Sequence, residues 1–215
     1  KSLENYPFMP VRLFKKFKLT SINDKDIYKI ISSSGTSGDV SRIYLNKQNA
    51  KDQIEVLYNI GSSFLGKQRY PMIILDSKKT NQNKNDFNAR RAAVIGFSIF
   101  SKKNYFIFDE DQNLKLEYLK KILSENKNKK IIIFGFTDIV WNFIKTLENT
   151  KSKLNLSNCI LLHGGGWKKL ADKNITNDKF IYNIKKNTSI KKIINYYGMI
   201  EQTGSIFFEC EHGYF

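Results

Sequence analysis

The chain has 215 residues, 41% of them hydrophobic, and a formal net charge of +16. That length and apolar fraction are enough for one large or two small packed domains and exclude a disordered tail. Only five of the 36 cationic residues are arginine (Arg12, Arg42, Arg69, Arg90, Arg91), so the charge reads as a solvated Lys- and Asn-rich surface of the kind an AT-rich genome encodes, and no nucleic-acid partner is expected.

Two cysteines, Cys159 and Cys210, supply neither a disulfide framework nor a zinc spacing, and both are read as structural. With no signal-peptide pattern and no apolar run of about 18 residues, no transmembrane segment is expected and a cytoplasmic location is the default. The opening Lys1 and the closing Glu211-His-Gly-Tyr-Phe215 suggest an incomplete polypeptide whose missing catalytic part lies beyond Phe215.

In chain order, Tyr6-Pro-Phe-Met-Pro10 is proline-pinned and extended, and Val11–Leu19 alternates loosely enough for strand or loop. Ile31-Ser-Ser-Ser-Gly-Thr-Ser-Gly38 follows, small hydroxyl and glycine residues behind an apolar approach. Such a loop turns tightly, brings backbone N–H groups close to a ligand and adds hydroxyl donors, as phosphate binding requires. Strand, glycine-rich turn and strand fit this stretch through Leu45.

From Lys47 to about Leu65 the apolar residues recur at helical spacing. Gly61–Gln68 comes one residue short of a Walker phosphate loop: Gln68 replaces the Ser or Thr that reaches magnesium, and a helix precedes the glycines. A helix C-cap is the simpler reading. Pro71–Leu75 is a short buried strand, Asp76–Asp86 a polar loop, and Ala89–Phe100 fits either helix or strand. Arg90 and Arg91 are read as solvated or carboxylate-paired, with phosphate or substrate contact as the alternative.

The second half alternates strands at Tyr105–Phe108, Ile131–Phe134, Cys159–Leu162 and Ile193–Tyr196 with helices at Leu114–Leu123 and Asp138–Leu147. That order predicts an α/β fold, a largely parallel sheet flanked by helices. Ligands gather at loops leaving the carboxyl ends of such strands. Two glycine-bearing segments sit there, His163-Gly-Gly-Gly-Trp167 and Tyr197-Gly-Met-Ile-Glu-Gln-Thr-Gly204. The glycines clear one wall for a flat ring or an acyl chain, and Glu201 is a hard oxygen ligand of the kind Mg²⁺ takes. His163 could act as a general base in a substrate pocket or simply orient its loop.

The order and spacing of these segments resemble the amino-terminal part of adenylate-forming enzymes, and most closely the LuxE-type acyl-protein synthetases. The likeness is carried by Tyr6–Pro10, Ser32–Gly38 with Ser41-Arg42, Phe134-Gly-Phe-Thr137, His163–Lys168, and Tyr197–Gly204 with Glu209-Cys-Glu-His212. It implies the large amino-terminal domain of such enzymes, lacking its carboxyl-terminal subdomain, and a two-step acid–thiol ligase that uses ATP and Mg²⁺. A carboxylic, in this branch fatty, acid becomes an acyl-adenylate and then passes to the thiol of a protein, such as an acyl-protein reductase or a carrier.

By the same resemblance Ser33, Ser34, Gly35, Thr36, Ser37, Gly38 and Arg42 would hold the phosphates. Gly164, Gly165, Gly166, Tyr197, Gly198, Met199 and Ile200 would surround the nucleotide, His163 and Gly164 would border the acid, and Glu201 would be the catalytic and metal-binding residue. The chain departs from the superfamily in having Ile200 where many members have Thr, and Ser41-Arg42 where Pro-Lys is common. The ribose-binding Asp and late catalytic Lys of the superfamily have no counterpart before Phe215. Two other readings stay open: a ligase using the same adenylation step with coenzyme A as acceptor, and a non-catalytic module binding polyanions.

Overall fold

The apolar runs of the chain form the centre of a six-stranded sheet. The computed structural model describes residues 2–33, 39–79, 89–150 and 154–215. A short helix α1 (Leu13–Lys16) precedes a two-stranded antiparallel ribbon of β1 (Lys29–Ser32) and β2 (Arg42–Leu45). Then come α2 (Lys47–Leu65), β3 (Tyr70–Ser77), α3 (Ala89–Phe97), β4 (Ser101–Phe108), α4 (Leu116–Glu125), β5 (Ile131–Phe136) and α5 (Thr137–Asn149). The chain closes with β6 (Cys159–Gly164), α6 (Trp167–Ala171), α7 (Asn177–Thr188), β7 (Lys192–Tyr197) and β8 (Phe207–Phe208).

The large sheet has the order β4-β3-β5-β6-β7-β8, parallel throughout except for the last pair. Its central strands are apolar on both faces because helices cover both. Ile73, Leu75, Ile131, Ile133 and Leu161 face α4, α5 and α7 through Leu119, Ile122, Phe143, Ile144, Phe180 and Ile184. Met72, Ile74, Ile132, Phe134, Leu162 and Ile194 face α2 and α3 through Leu65, Val94 and Phe97. At roughly 1.5–3 kcal/mol for each fully buried large aliphatic or aromatic side chain, these two layers hold the fold together. Strand order reverses between β3 and β5, so the carboxyl ends of those strands flank a topological switch point.

The α2 helix has its expected bounds, opened by the Asn46 side chain accepting from the Asn49 N–H at 2.8 Å. Gly66, at φ +92°, ends it by donating its N–H to the Ser62 carbonyl (2.9 Å), and the chain continues into β3 instead of a helix. Gly61–Gln68 is therefore a helix end, not a phosphate loop. Ala89–Phe97 is helical, resolving that ambiguity.

Several boundaries differ from the sequence reading. One helical turn forms within Val11–Leu19, started by Leu13 and Phe14 donating to Pro10 and Val11 and held by Phe14 against the ribbon's core. Asp76 and Ser77 belong to β3 and are buried, because Arg90 approaches the Asp76 carboxylate to 2.7 Å and the Ser77 N–H donates to its Oδ1. Of the rest of that polar stretch, 80–86 falls outside the described residues. β5 runs through Gly135, whose missing side chain lets Leu75 of β3 pack where a Cβ would come within 2.9 Å of it.

Candidate active site

At the base of the Ser/Thr/Gly loop the ribbon is clamped twice. The Ser33 N–H donates to the Ser41 carbonyl at 3.1 Å and the Ser41 N–H donates to Ser33 Oγ at 3.0 Å. Ser41 is fully buried and its hydroxyl has no hydrogen-bond partner among the described residues. Ser34, Gly35, Thr36, Ser37 and Gly38 lie outside the described residues. Arg42 is exposed, opposite Ser32 in the ribbon.

Behind the clamp, Ile31, Ile43, Leu45 and Ala50 make a small core against which Phe14 and Ile200 pack. Ile200 comes from the segment after β7, so one side chain joins that segment to the ribbon. The segment is wound in successive turns, with Gln202 donating to the Met199 carbonyl and Ser205 to that of Gln202, both at 3.1 Å. It returns as β8, which pairs Phe207 with Tyr197. The Tyr197 ring is half exposed, 6.3 Å from that of Phe207 and 6.4 Å from that of Phe215. Gly198 is exposed and Met199 half-buried. Glu201 is half-buried too, and no described residue donates to its carboxylate.

β6 lies beside β7 with Gly164 opposite Tyr196. A Cβ on Gly164 would stand 2.3 Å from the Tyr196 carbonyl oxygen, so only glycine lets the two strands approach here. The exposed Gly165 accepts from the Thr137 N–H at 3.2 Å, tying the glycine loop to the first turn of α5. Gly166, at φ +75°, leaves room for Asp138, whose Oδ1 lies 2.3 Å from where a Cβ would sit. The protein's own atoms thus occupy much of the space these glycines clear.

His163 is buried on the α7 side of β6, its ring centroid 4.8 Å from Phe180 and 6.2 Å from Trp167. Its Nδ1 shares a 3.0 Å hydrogen bond with Thr137 Oγ1. Burial pushes the imidazole pKa down to about 3, so the ring is neutral at physiological pH. This geometry suits an anchor for the glycine loop better than a base in contact with solvent.

Tyr196 faces the opposite side, its ring 4.8 Å from Phe97 and 6.1 Å from Phe134, and burial raises its phenol well above the usual range. The Asp76–Arg90 pair stands at the switch point between β3 and β5. Thr137 closes the Phe134-Gly-Phe-Thr137 segment that carries the resemblance but was given no role there, and Asp138, Tyr196 and Asp76 were not singled out from the sequence. Of these, only the Asp138 carboxylate opening an amphipathic helix gave a local signal, since the others matter through neighbours distant in sequence. Burial raises the Cys159 thiol to about 12, an inert value. Among the described residues no group of three or more His, Cys, Asp or Glu could hold a metal, and no helix is long and apolar enough to cross a membrane.

The family model for "Acyl-protein synthetase, LuxE" matches residues 1–214. The chain belongs to the LuxE acyl-protein synthetase family. No curated protein matches this LuxE-family chain. Similar solved structures include coronafacic acid ligase from Pectobacterium brasiliense, at 15% identity and TM-score 0.46 over 78% of this chain and 29% of that one. An ATP-bound RpMatB–BxBclM chimera matches at 14% identity and TM-score 0.49, over 87% of this chain and 32% of its own. The N-terminal subdomain of Klebsiella oxytoca NpsA, in complex with 3-hydroxybenzoyl-AMSN, matches at 13% identity and TM-score 0.48, over 83% of this chain and 39% of its own. The LuxE-family chain thus spans about a third of the length of these chains.

Proposed function

We propose that this chain is the nucleotide-binding part of an adenylation domain in a cytoplasmic acyl-protein synthetase, which activates a fatty acid with ATP and transfers it to a protein thiol. Besides family membership, the observation that carries this reading is the seating of Ile200 on the ribbon core. It tethers Glu201 and Tyr197 to the base of the Ser/Thr/Gly loop, while the β6–β7 pairing holds the glycine loop next to the same segment.

In this reading the Ser33 hydroxyl, the backbone N–H groups and hydroxyls of Ser34–Gly38, and Arg42 cradle the β- and γ-phosphates. Tyr197 offers its half-exposed ring to adenine, and Gly198–Ile200 and the Gly164–Gly166 loop border the nucleotide. The fatty acid approaches past the glycine loop, which His163 orients from beneath. A lone carboxylate without a described protein donor fits Mg²⁺, which takes one or two carboxylates alongside phosphate oxygens, and Glu201 would hold it. The bound ion would supply charge neutralisation on the phosphates.

The first step forms a bond between a carboxylate oxygen of the acid and the α-phosphorus and breaks the bond from that phosphorus to the bridging oxygen, releasing pyrophosphate. The second forms a thioester: the acceptor thiol gives up its proton, its sulfur attacks the acyl carbonyl and AMP leaves. The protein's task in the first step is alignment and charge stabilisation.

Hydroxylamine trapping tests the proposal. The full-length protein with ATP, magnesium and a long-chain fatty acid should yield acyl hydroxamate and pyrophosphate, and labelled fatty acid should become thioester-linked to protein. Hydroxamate formation with labelled acyl-coenzyme A as the only thioester would overturn the protein-thiol acceptor. No hydroxamate with any carboxylic acid would overturn adenylation.

A further inference from the structure

The opposite end of the sheet carries a second concave surface. The amino-terminal ends of β5, β6 and β7 border a cleft of about 450 Å³ lined by Lys127, Lys129, Lys130, Lys191 and Lys192 beside Asn158. All five lysines are exposed. Half of the residues lining the cleft are lysine and none is acidic, in a chain where about one residue in seven is lysine, so the patch is concentrated beyond the general surface. No described carboxylate pairs with Lys127, Lys129 or Lys191. Lys192 donates to the Phe64 carbonyl at 2.6 Å, and the Lys130 ammonium sits 5.6 Å from the centre of the Tyr70 ring.

The wall is also fixed in place. Asn158 donates through Nδ2 to the Lys129 carbonyl at 2.7 Å, pinning the turn after α4 to the start of β6. Five cationic side chains around one cleft with no carboxylate among its lining residues make a positive field that an anionic partner complements.

We propose that this lysine cleft docks an acidic, Asp/Glu-rich segment of a partner protein. The lining chemistry decides among anions. The cleft has no aromatic residue on which a base could stack and no arginine fork for phosphate. It is concave and presents no exposed apolar side chain to insert into a bilayer. Exposed flexible ammonium groups facing a groove match carboxylates spaced along a peptide, steering it into register. The proposal is independent of the adenylation chemistry at the other end of the sheet.

The test is fluorescence anisotropy of a labelled Glu-rich peptide with the full-length protein at low salt. The cleft variant K127E/K129E/K191E is compared with K102E/K173E/K179E, which reverses three exposed lysines elsewhere and leaves the same net charge. Cleft reversal should weaken peptide binding about tenfold or more and the control no more than about twofold. Equal weakening by both would show that net charge alone draws the peptide and would overturn the proposal. So would wild-type affinity for phosphatidylserine vesicles, a single-stranded oligonucleotide or inorganic pyrophosphate that exceeds the peptide's and falls with the cleft variant. Circular dichroism and the hydroxamate assay check that each variant is folded.

Discussion

His163 Nδ1 lies 3.0 Å from Thr137 Oγ1, joining the penultimate residue of β6 to the first residue of α5 beneath the glycine loop. Both groups are buried, so neither can exchange its partner for water. Thr137→Val keeps the shape and removes the bond, and should destabilise the protein by about 1–3 kcal/mol by leaving an imidazole nitrogen unsatisfied. Urea denaturation measures it, and an unchanged midpoint would show the bond is dispensable.

The same burial makes stability depend on pH. The folded imidazole titrates at about 3 against 6.5 for an ordinary histidine, so between those values the unfolded chain takes up a proton that the native state does not. The native state is fully favoured above about pH 6.5 and loses ground as pH falls towards 3, by up to about 1.4 kcal/mol per pH unit. The urea midpoint of wild type should drop more steeply below pH 6.5 than that of His163→Gln. Parallel profiles would mean the histidine is protonated in the folded state.

Gly164 and Gly204 separate two reasons for glycine. Gly164→Ala drives a Cβ to 2.3 Å from the Tyr196 carbonyl oxygen, which only strand separation relieves, and should cost about 1–3 kcal/mol or more. Gly204 has φ +80° and nothing within 4 Å of a Cβ, so Gly204→Ala should cost about 1 kcal/mol through backbone strain alone. Thermal melts of the two variants compare them directly, and equal losses would contradict the packing argument at Gly164.

Much of the fold is legible in the sequence because its central strands and amphipathic helices announce themselves locally. The α2 helix is recovered to the residue, since Asn46 caps it and Gly66 stops it. The misplaced ends come from reading glycine and charge as breakers. β5 and β6 run on through Gly135 and through His163-Gly164 because neighbouring strands need the space those glycines leave. β4 begins at Ser101, ahead of its apolar core, because an edge strand tolerates Lys102 and Lys103. Asp76 becomes a strand residue only through Arg90, fourteen positions on. The candidate site divides the same way. Its motifs stand out locally, but the seat of Ile200 on Ile31, Ile43 and Leu45 depends on a contact across most of the chain, which no local pattern encodes.

That seat yields a prediction of its own. Ile200→Asp puts a charge against the ribbon core and should raise KM for ATP at least about tenfold, whereas Ile200→Val should change it little. Steady-state kinetics on the full-length protein measure this. A normal KM in a folded Ile200→Asp protein would separate the ribbon from the nucleotide.

The most direct measurement is carboxylate-dependent ATP–pyrophosphate exchange, on this chain and on the full-length protein, with Glu201→Gln as the comparison. Fatty-acid-dependent exchange in the full-length protein that falls at least about a hundredfold in Glu201→Gln is the predicted result, the size expected on removing a group that acts on transition-state charge. Exchange that persists in the variant would remove Glu201 from the site. Its complete absence from a folded full-length protein, with every carboxylic acid tried, would contradict adenylation itself.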